Sequence, residues 1–403
     1  MMLWRRLQPS LIAILSGWAC IGLFALLAGL ALVEDGSRYA TQVNLLLFLP
    51  GLPLVLMASR WSELGRQPIF WLLLVFFVWV LGSVLLNPGG PISLGRWFKV
   101  CLQISVFLLL IPILQNRTLW LGRTLILAVM VAMLCAWLSL YQSYWVQGVS
   151  LAYRVYRLEA SGIWGLADFG NAILAALFYA TMVILAVGLW PRIHKAWRLP
   201  WLLGLCGLCM AVFATYSRGV WVALALAFLC YWSLALSRRQ FVGMLALCGV
   251  GGLLALLVAP AMLAKVFLNL SYREEIWQYT LDQLGGNWIF GLGPEASFNA
   301  CVEALQRCFN QAHSLYLQIL YDFGLIGLLI LGGLLVSVLQ VARGNRHCAN
   351  VRMALPLLVF ALVAGVASYS ALFTRPDLVW VFFWLPVGML LGVGSARSDR
   401  GGA

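Results

Sequence analysis

Apolar stretches of about 18 to 25 residues recur along the whole of this chain, separated by short polar segments. A helix of that length crosses roughly 30 Å of hydrocarbon, whereas the strands of a membrane barrel show about ten alternating residues. Of the 403 residues, 63% are hydrophobic and 10% are charged, against about a quarter charged in soluble domains. Because lipid accepts only helices or closed barrels, the sequence predicts an all-α integral membrane protein.

Twelve stretches are long enough to cross a membrane. The first follows Arg5 and Arg6 and resembles a signal peptide, but it is too long for the apolar core of one and lacks a convincing cleavage site. We therefore predict an uncleaved span there. The 12 predicted transmembrane helices cover residues 11–33, 40–58, 69–86, 97–114, 119–144, 168–190, 199–215, 219–236, 240–259, 315–341, 353–373 and 378–395.

Positive charges are distributed unevenly between alternate polar segments. With the amino terminus inside the cell, 16 of the 26 Lys and Arg residues fall on the inner side, but only 2 of the 13 Asp and Glu residues do. This asymmetry is typical of inner segments and predicts that both termini are cytoplasmic. The net charge of +13 then follows from topology, and it requires no nucleic-acid partner.

One outer segment, residues 260–314 between the ninth and tenth predicted spans, is far longer than the others, and we call it the long loop. Long ordered loops are usually functional. A shorter outer segment runs over residues 145–167. With no internal repeat, residues 1–403 are predicted to form a single membrane domain that carries the long loop on its outer face.

His313 is the histidine best placed for chemistry. It lies where the long loop re-enters the membrane, whereas His194 and His347 lie in basic inner segments. A histidine at the start of a span is more often an interfacial anchor or a capping group than a catalyst. However, an imidazole titrates near neutral pH and can take a proton from a hydroxyl.

Arginines on the outer face are unusual, because membrane orientation selects against them. Arg218 lies in a short turn between two spans, and the adjoining Gly219 would allow a ligand to come close. Arg273 opens an amphipathic segment. Snorkelling to the interface or pairing with neighbouring acids would also explain these two residues. If they converged on one cavity, they would suit a doubly charged anion such as a diphosphate.

Arg154 and Arg157 are three residues apart and would share one side of a helix. A dedicated metal cage is not indicated, because the chain has no Asp-x-Asp motif and its Cys206-x-x-Cys209 pair lies inside a span without further ligands. A metal-free anion site built from arginines is therefore the simpler hypothesis.

Two features of the long loop leave alternatives open. Gly291-Leu292-Gly293-Pro294 lacks the strand and the lysine of a phosphate-binding P-loop, so we interpret it as a turn. Cys301 and Cys308 would form a disulfide in an oxidising compartment, but a helical stretch over residues 303–305 would space them awkwardly. The sequence does not decide between a disulfide and two free thiols.

An ordered set of segments resembles the O-antigen ligase and O-antigen polymerase superfamily of bacterial envelope glycosyltransferases. The resemblance is strongest over residues 150–330, and the order of the segments makes it more specific than any one of them. The segments are Thr215-Tyr216-Ser217-Arg218-Gly219, Arg273 with Trp277, the stretch 287–293, the stretch 313–320 followed by 322–327, and the weaker stretch 157–162 with Gly170-Asn171.

The resemblance implies a GT-C-like membrane glycosyltransferase that acts at the periplasmic face of the bacterial inner membrane, in lipopolysaccharide biosynthesis. The donor would be a glycan on undecaprenyl diphosphate, held between spans next to membrane lipid, and the acceptor would be lipid A–core. No cofactor or metal is expected. Arg218 and Arg273, with Arg157 and Arg154 as further candidates, would bind the diphosphate, and His313 would assist the acceptor hydroxyl.

Three enzyme branches fit the same segments: the O-antigen ligase, the O-antigen polymerase and the protein O-oligosaccharyltransferase. The compact size, the single dominant late loop and the short tail after the last span favour the ligase. A different class, a transporter or flippase of lipid-linked glycan, would also use arginines within the membrane. Transporters place polar groups near the midplane, whereas this chain concentrates them at one face. Product formation without a gradient would separate the two classes.

Overall fold

The computed structural model describes residues 2–59, 61–87, 94–150, 155–246, 249, 272–303 and 306–398. Within them, 14 α-helices and two short strands follow one another along the chain. The helices are α1 (Met2–Leu32), α2 (Gly36–Val43), α3 (Leu49–Ala58), α4 (Trp61–Leu64), α5 (Pro68–Leu86), α6 (Leu94–Gln115), α7 (Thr118–Leu140), α8 (Ala172–Leu189), α9 (Arg198–Ala214), α10 (Arg218–Ala235), α11 (Arg273–Leu284), α12 (Leu315–Gly344), α13 (Ala349–Ala364) and α14 (Leu385–Ser398), and the strands are β1 (Ala300–Val302) and β2 (Arg307–Phe309).

Nine helical segments in the described part are long and apolar enough to cross a membrane. Two of them continue through π-helical turns, Asn44–Phe48 between α2 and α3 and Tyr141–Val146 after α7. Two shorter apolar helices, Ala349–Ala364 and Trp380–Gly394, complete the bundle. The prediction of an all-α, multi-pass membrane protein is confirmed.

Eleven of the predicted spans coincide with these helices, and the ninth, residues 240–259, lies largely outside the described residues beyond a helical stretch over 238–246. One predicted boundary was wrong. The span predicted over 353–373 ends at Ala364. The Gly365 carbonyl accepts a hydrogen bond from the Leu315 N–H at 2.7 Å, and a side chain at Gly365 would meet Leu315 at 3.2 Å. The chain then runs as an irregular loop, residues 365–379, on the same face as the long loop.

Small residues let the helices approach closely in the core, as is usual where lipid removes the ordinary hydrophobic driving force. Helix α8 is the most enclosed span, with 78% of its apolar window buried inside the bundle. Gly22 of α1 lies against the π-helical turn, since a Cβ there would meet the Leu46 backbone at 2.3 Å. The last helical segment is equally central, because Trp380 and Trp384 are fully buried.

The described part of the long loop forms a small domain-like cap on one face of the bundle. Helix α11 packs its buried residues Ile276, Thr280 and Leu284 inward, and the antiparallel pair β1–β2 places Cys301 directly opposite Cys308. The two cysteines form a disulfide. The structure thus decides for the disulfide, with both cysteines on strands; residues 304 and 305, where a helical stretch would have spaced them awkwardly, lie outside the described residues.

A break in α12 holds the cap on the bundle. Gly324 has φ 66° and ψ −169°, which interrupts the helix and frees backbone groups that lipid cannot satisfy. The freed groups bond to the turn over 288–293 and to α5. The bonds are Leu292 N–H to Tyr321 O at 2.7 Å, Gly293 N–H to Asp322 O at 3.1 Å, Leu325 N–H to Trp288 O at 2.8 Å, and Trp79 Nε1–H to Phe323 O at 2.9 Å.

Candidate active site

The connection between α9 and α10 is held rigid by its own polar groups and by Arg157. The Thr215 hydroxyl donates to the Val212 carbonyl at 2.7 Å and accepts from the Ser217 N–H at 3.3 Å. Arg157 donates from Nε to the Thr215 carbonyl at 2.9 Å and from a terminal nitrogen to the Ser217 hydroxyl at 3.0 Å. The guanidinium is therefore fixed at two points of the turn.

Arg218 and Arg273 each occupy the first position of a helix, α10 and α11. Each follows a turn residue with left-handed backbone, Tyr216 at φ 50° and Tyr272 at φ 60°. Left-handed non-glycine residues are uncommon and cluster at functional sites. Helix amino termini expose unpaired N–H groups and a partial positive charge. Both arginines thus add a full charge where the backbone already favours an anion.

His313 links β2 to the start of α12, and it also has a left-handed backbone, at φ 50°. Its ring lies edge-on to Phe309 with 5.3 Å between the ring centroids, and the Arg307 guanidinium carbon lies 5.6 Å from the centroid of the same Phe309 ring. The preceding Ala312 N–H donates to Gln318 Oε1 at 2.9 Å. The imidazole therefore packs against Phe309, and the hydrogen bond from Ala312 to Gln318 fixes the backbone that precedes it.

These elements bring Arg157, Arg218, Arg273 and His313 together around one cavity of about 180 Å³, which we call the arginine cavity. The side chains that complete its wall are Ile173, Tyr216, Ser217, Gly219, Ile276, Phe309 and Ser368. Among these described lining residues there are three guanidinium groups and no carboxylate. The fourth predicted arginine, Arg154, lies outside the described residues.

The protonation of His313 follows from its surroundings. Burial, and then the positive charges of Arg273 and Arg307, lower the pKa of the imidazole below its usual value. The ring is consequently uncharged at neutral pH. A neutral imidazole beside a cationic cavity can accept a proton, and the imidazolium formed would be destabilised by the same arginines until it passes the proton on.

A second cavity, of about 380 Å³, adjoins the first, and we call it the hydroxyl cavity. His313, Ile173 and Ser368 line both. Its other polar side chains are Asn171, Gln311, Ser370, Thr374 and Asp377.

Burial raises the pKa of the Asp377 carboxyl to about 6, although the Thr374 hydroxyl and the Val379 N–H, which bonds to Asp377 Oδ1 at 2.9 Å, lower it. The carboxyl therefore titrates just below neutral pH, close to His313.

Sequence analysis named Ser217 only as part of a resembling segment and did not identify Ser368, Ser370 or Asp377. Serines are common in loops, and Asp377 lies in the short polar segment Thr374-Arg375-Pro376-Asp377 between two predicted spans. The presence of an acid in a tight turn between apolar spans was the one available signal. Sequence analysis did identify Gly219. In the structure it lies close to Ser368, because a side chain at Gly219 would meet the Ser368 hydroxyl at 3.1 Å.

Comparison with known proteins gives a consistent result. A family model described as O-Antigen ligase matches residues 202–332, which include Arg218, Arg273 and His313. Over 388 residues the chain is 28% identical to an O-antigen ligase of Pseudomonas aeruginosa strain PAO1, covering 96% of this chain and 93% of that protein. The resemblance indicated by the sequence segments is confirmed, and so is the prediction of an enzyme of the glycosyltransferase type.

Proposed function

With the resemblance to O-antigen ligases as the premise, we propose that this glycosyltransferase-type enzyme transfers a glycan from undecaprenyl diphosphate to lipid A–core. The reaction takes place at the periplasmic face of the bacterial inner membrane. The whole chain acts as one membrane domain, with the long loop at the periplasmic face and both termini in the cytoplasm. The charge asymmetry of the polar segments supports this orientation.

The observation that carries the proposal is that three arginines and an uncharged histidine line one cavity. A diphosphate carries two or more negative charges, and arginine pairs with phosphate oxygens through two parallel hydrogen bonds. Arg157, Arg218 and Arg273 would hold the diphosphate and stabilise the charge that develops on it as the glycan leaves. The helix amino termini of α10 and α11 add to this stabilisation.

The transfer is a single displacement. His313 takes the proton from the acceptor hydroxyl, and the hydroxyl oxygen bonds to the anomeric carbon of the donor. The bond between that carbon and the diphosphate oxygen breaks, and its electron pair stays on the diphosphate. The configuration at the anomeric carbon is inverted, because attack comes opposite to the leaving group. Positioning and electrostatics supply the rate enhancement, and no metal is needed.

The test is a transfer assay with the purified full-length protein in detergent, undecaprenyl diphosphate-linked glycan, lipid A–core and EDTA. Glycosylated lipid A–core is the expected product. A longer glycan that is still on the carrier would indicate a polymerase, and loss of product in EDTA alone would refute metal independence. Absence of any product would favour transport.

The roles of single residues are tested in the same assay. His313→Ala and Arg218→Ala are each expected to abolish transfer while the protein inserts and purifies normally. Full activity in either variant would remove that residue from the mechanism. Arg38→Ala is a matched control, because Arg38 is an exposed arginine that pairs with Asp35 at 3.6 Å and lines neither cavity.

A further inference from the structure

The hydroxyl cavity differs in chemistry from the arginine cavity beside it. Among the described residues that line it there is no arginine or lysine. Its polar groups are hydroxyls, side-chain amides and the Asp377 carboxyl, and its remaining wall is apolar or aromatic, with Tyr369 and Phe382. Hydroxyls, amides and a carboxylate pair well with sugar hydroxyls, which donate and accept. A carboxylate repels phosphate, so the cavity is unsuited to the diphosphate.

Ser370 gives an independent indication of a ligand. Its side chain is only 3% exposed, it lines the hydroxyl cavity, and its Oγ has no hydrogen-bond partner in the described part of the chain. Burying a hydroxyl without a hydrogen-bond partner is unfavourable. A ligand hydroxyl that fills the cavity would supply the missing hydrogen bond.

The position of His313 decides which substrate belongs in this cavity. The imidazole lines both cavities, and in a displacement the attacking hydroxyl approaches the anomeric carbon from the side opposite to the leaving diphosphate. If the diphosphate lies on the three arginines, the acceptor hydroxyl must reach His313 from another direction. The hydroxyl cavity provides that direction.

We propose that the hydroxyl cavity binds the terminal sugar of the acceptor, and that Ser370 and Asp377 hydrogen-bond to its hydroxyls. The inference rests on the proposed glycosyl transfer and adds to it the place where the acceptor is recognised. The acceptor class is a neutral, hydroxyl-rich sugar at the end of a glycolipid. Thr374 and Asp377 also line a further cavity that contains Arg96 and Arg375.

The experiment measures KM separately for donor and acceptor in three variants of the full-length protein. Ser370→Ala is expected to raise the acceptor KM about tenfold, the effect of one lost hydrogen bond, with the donor KM within twofold of wild type. Its thermal unfolding midpoint should not fall, because the removed hydroxyl has no protein partner. Ser370→Val adds bulk to the cavity and should reduce transfer more than Ser370→Ala.

Asp377→Asn, which keeps the size of the side chain, should also raise the acceptor KM and leave the donor KM unchanged. The matched controls are Ser297→Ala and Asp282→Asn, two exposed positions of the long loop that line none of the three cavities. Both should behave like wild type with either substrate.

The outcomes separate this inference from the proposed function. Wild-type protein that makes no glycosylated lipid A–core would refute the function and the inference together. Active wild type with an unchanged acceptor KM in Ser370→Ala and Ser370→Val would overturn the inference alone. A raised donor KM with an unchanged acceptor KM would also overturn it, because the cavity would then hold the donor glycan or its prenyl chain.

Discussion

The cationic residues of the site differ in how firmly they are held. Arg157 makes two hydrogen bonds to the turn before α10. Its guanidinium therefore stabilises that turn as well as lining the arginine cavity. Arg218 and Arg273 extend from helix starts, and Arg307 lies against Phe309, which lines the cavity. Burial lowers the pKa of His313 most, and the positive charges of Arg273 and Arg307 lower it further.

The pH dependence of transfer should report on His313. Because burial and the charges of Arg273 and Arg307 lower its pKa, the neutral, proton-accepting form persists to pH values below the usual 6.5. The rate should therefore be level through neutral pH and fall only in more acidic buffer. Arg307→Gln removes one of those charges, so it should raise the pKa and shift the acidic fall to higher pH. The measurement is kcat/KM against pH.

The comparison for that shift is Arg38→Gln, an exposed arginine distant in sequence from His313, which should leave the pH profile unchanged. An identical shift in both variants would mean that overall charge, rather than the local field at His313, sets the profile. No shift in Arg307→Gln would show that His313 is not the group that titrates.

Arg273 should require a guanidinium and not merely a positive charge. A charged hydrogen bond contributes about 1.5–3 kcal/mol, and each 1.4 kcal/mol is a factor of ten, so Arg273→Ala should reduce kcat/KM by about 100-fold. Arg273→Lys keeps the charge and loses the second parallel bond, so its loss should be intermediate. Steady-state rates at varied donor concentration measure both, and equal rates for Lys and Arg would refute bidentate binding.

At the scale of elements, the break in α12 is the joint between the bundle and the long loop. Gly324 and Gly291 approach so closely that a Cβ on Gly291 would lie 2.6 Å from the Gly324 nitrogen. This contact fixes the turn over 288–293 against α12, whose first turn follows His313. The sequence indicated a turn at Gly291-Leu292-Gly293-Pro294 but not its partner, because the partner lies in a helix whose pattern looks continuous.

Gly324→Ala should destabilise the protein by at least about 3 kcal/mol, since its Cβ would lie 2.2 Å from the Ile289 carbonyl oxygen and its φ is positive. Gly332→Ala in the same helix is the matched control, because nothing lies within 4 Å of a Cβ there. Replacing that glycine should be neutral or stabilising by up to about 1 kcal/mol. Thermal unfolding in detergent, followed by tryptophan fluorescence, compares them. Equal unfolding midpoints in the two variants would contradict the conclusion that the break at Gly324 joins the long loop to the bundle.

The disulfide should stabilise the cap rather than the bundle. Closing a loop as short as that between Cys301 and Cys308 contributes about 2–3 kcal/mol on the chain-entropy estimate. Cys301→Ser with Cys308→Ser should therefore increase proteolytic cleavage within the described part of the long loop, while the midpoint of unfolding of the helices changes little. A cleavage pattern identical to wild type would show that the disulfide is dispensable for the cap.

At the level of the whole molecule, the arginine cavity and the hydroxyl cavity lie at the face that carries the long loop, and the core of the bundle is apolar. Both cavities lie between α8, the long loop and residues 365–379, and α10 lines the arginine cavity but not the hydroxyl cavity. A glycan carrier likewise combines an apolar part, its long prenyl chain, with a polar part, its water-exposed sugar. The architecture thus suits a reaction at a membrane surface better than passage through the membrane.

The proposed orientation is testable by labelling single cysteines in cells. In a background in which every cysteine except Cys301 and Cys308 is replaced by Ser, Asn299→Cys in the long loop should react with a membrane-impermeant maleimide in intact spheroplasts. Arg346→Cys, between α12 and α13, should react only after the membrane is permeabilised. The opposite pattern would reverse the topology, and labelling of both positions in intact cells would show that the preparation is leaky and must be repeated with a sealed control.

Local sequence patterns predicted the membrane-spanning helices, an orientation, and the three arginines that line the arginine cavity with His313. These properties are local, because each span depends on the transfer of its own side chains and backbone into lipid. The ordered segments around Arg218, Arg273 and His313 could likewise be recognised in the sequence, since each is a short run of neighbouring residues.

The folded chain was needed to show that Arg157, far earlier in the sequence, meets these residues, and that Ser370 and Asp377 line the hydroxyl cavity next to His313. The order in which helices pack depends on many contacts between distant residues, which no local pattern records. The same holds for Gly324 against Gly291 and for the pairing of Cys301 with Cys308. In each case the arrangement depends on a contact between two segments and not on a property of either segment alone.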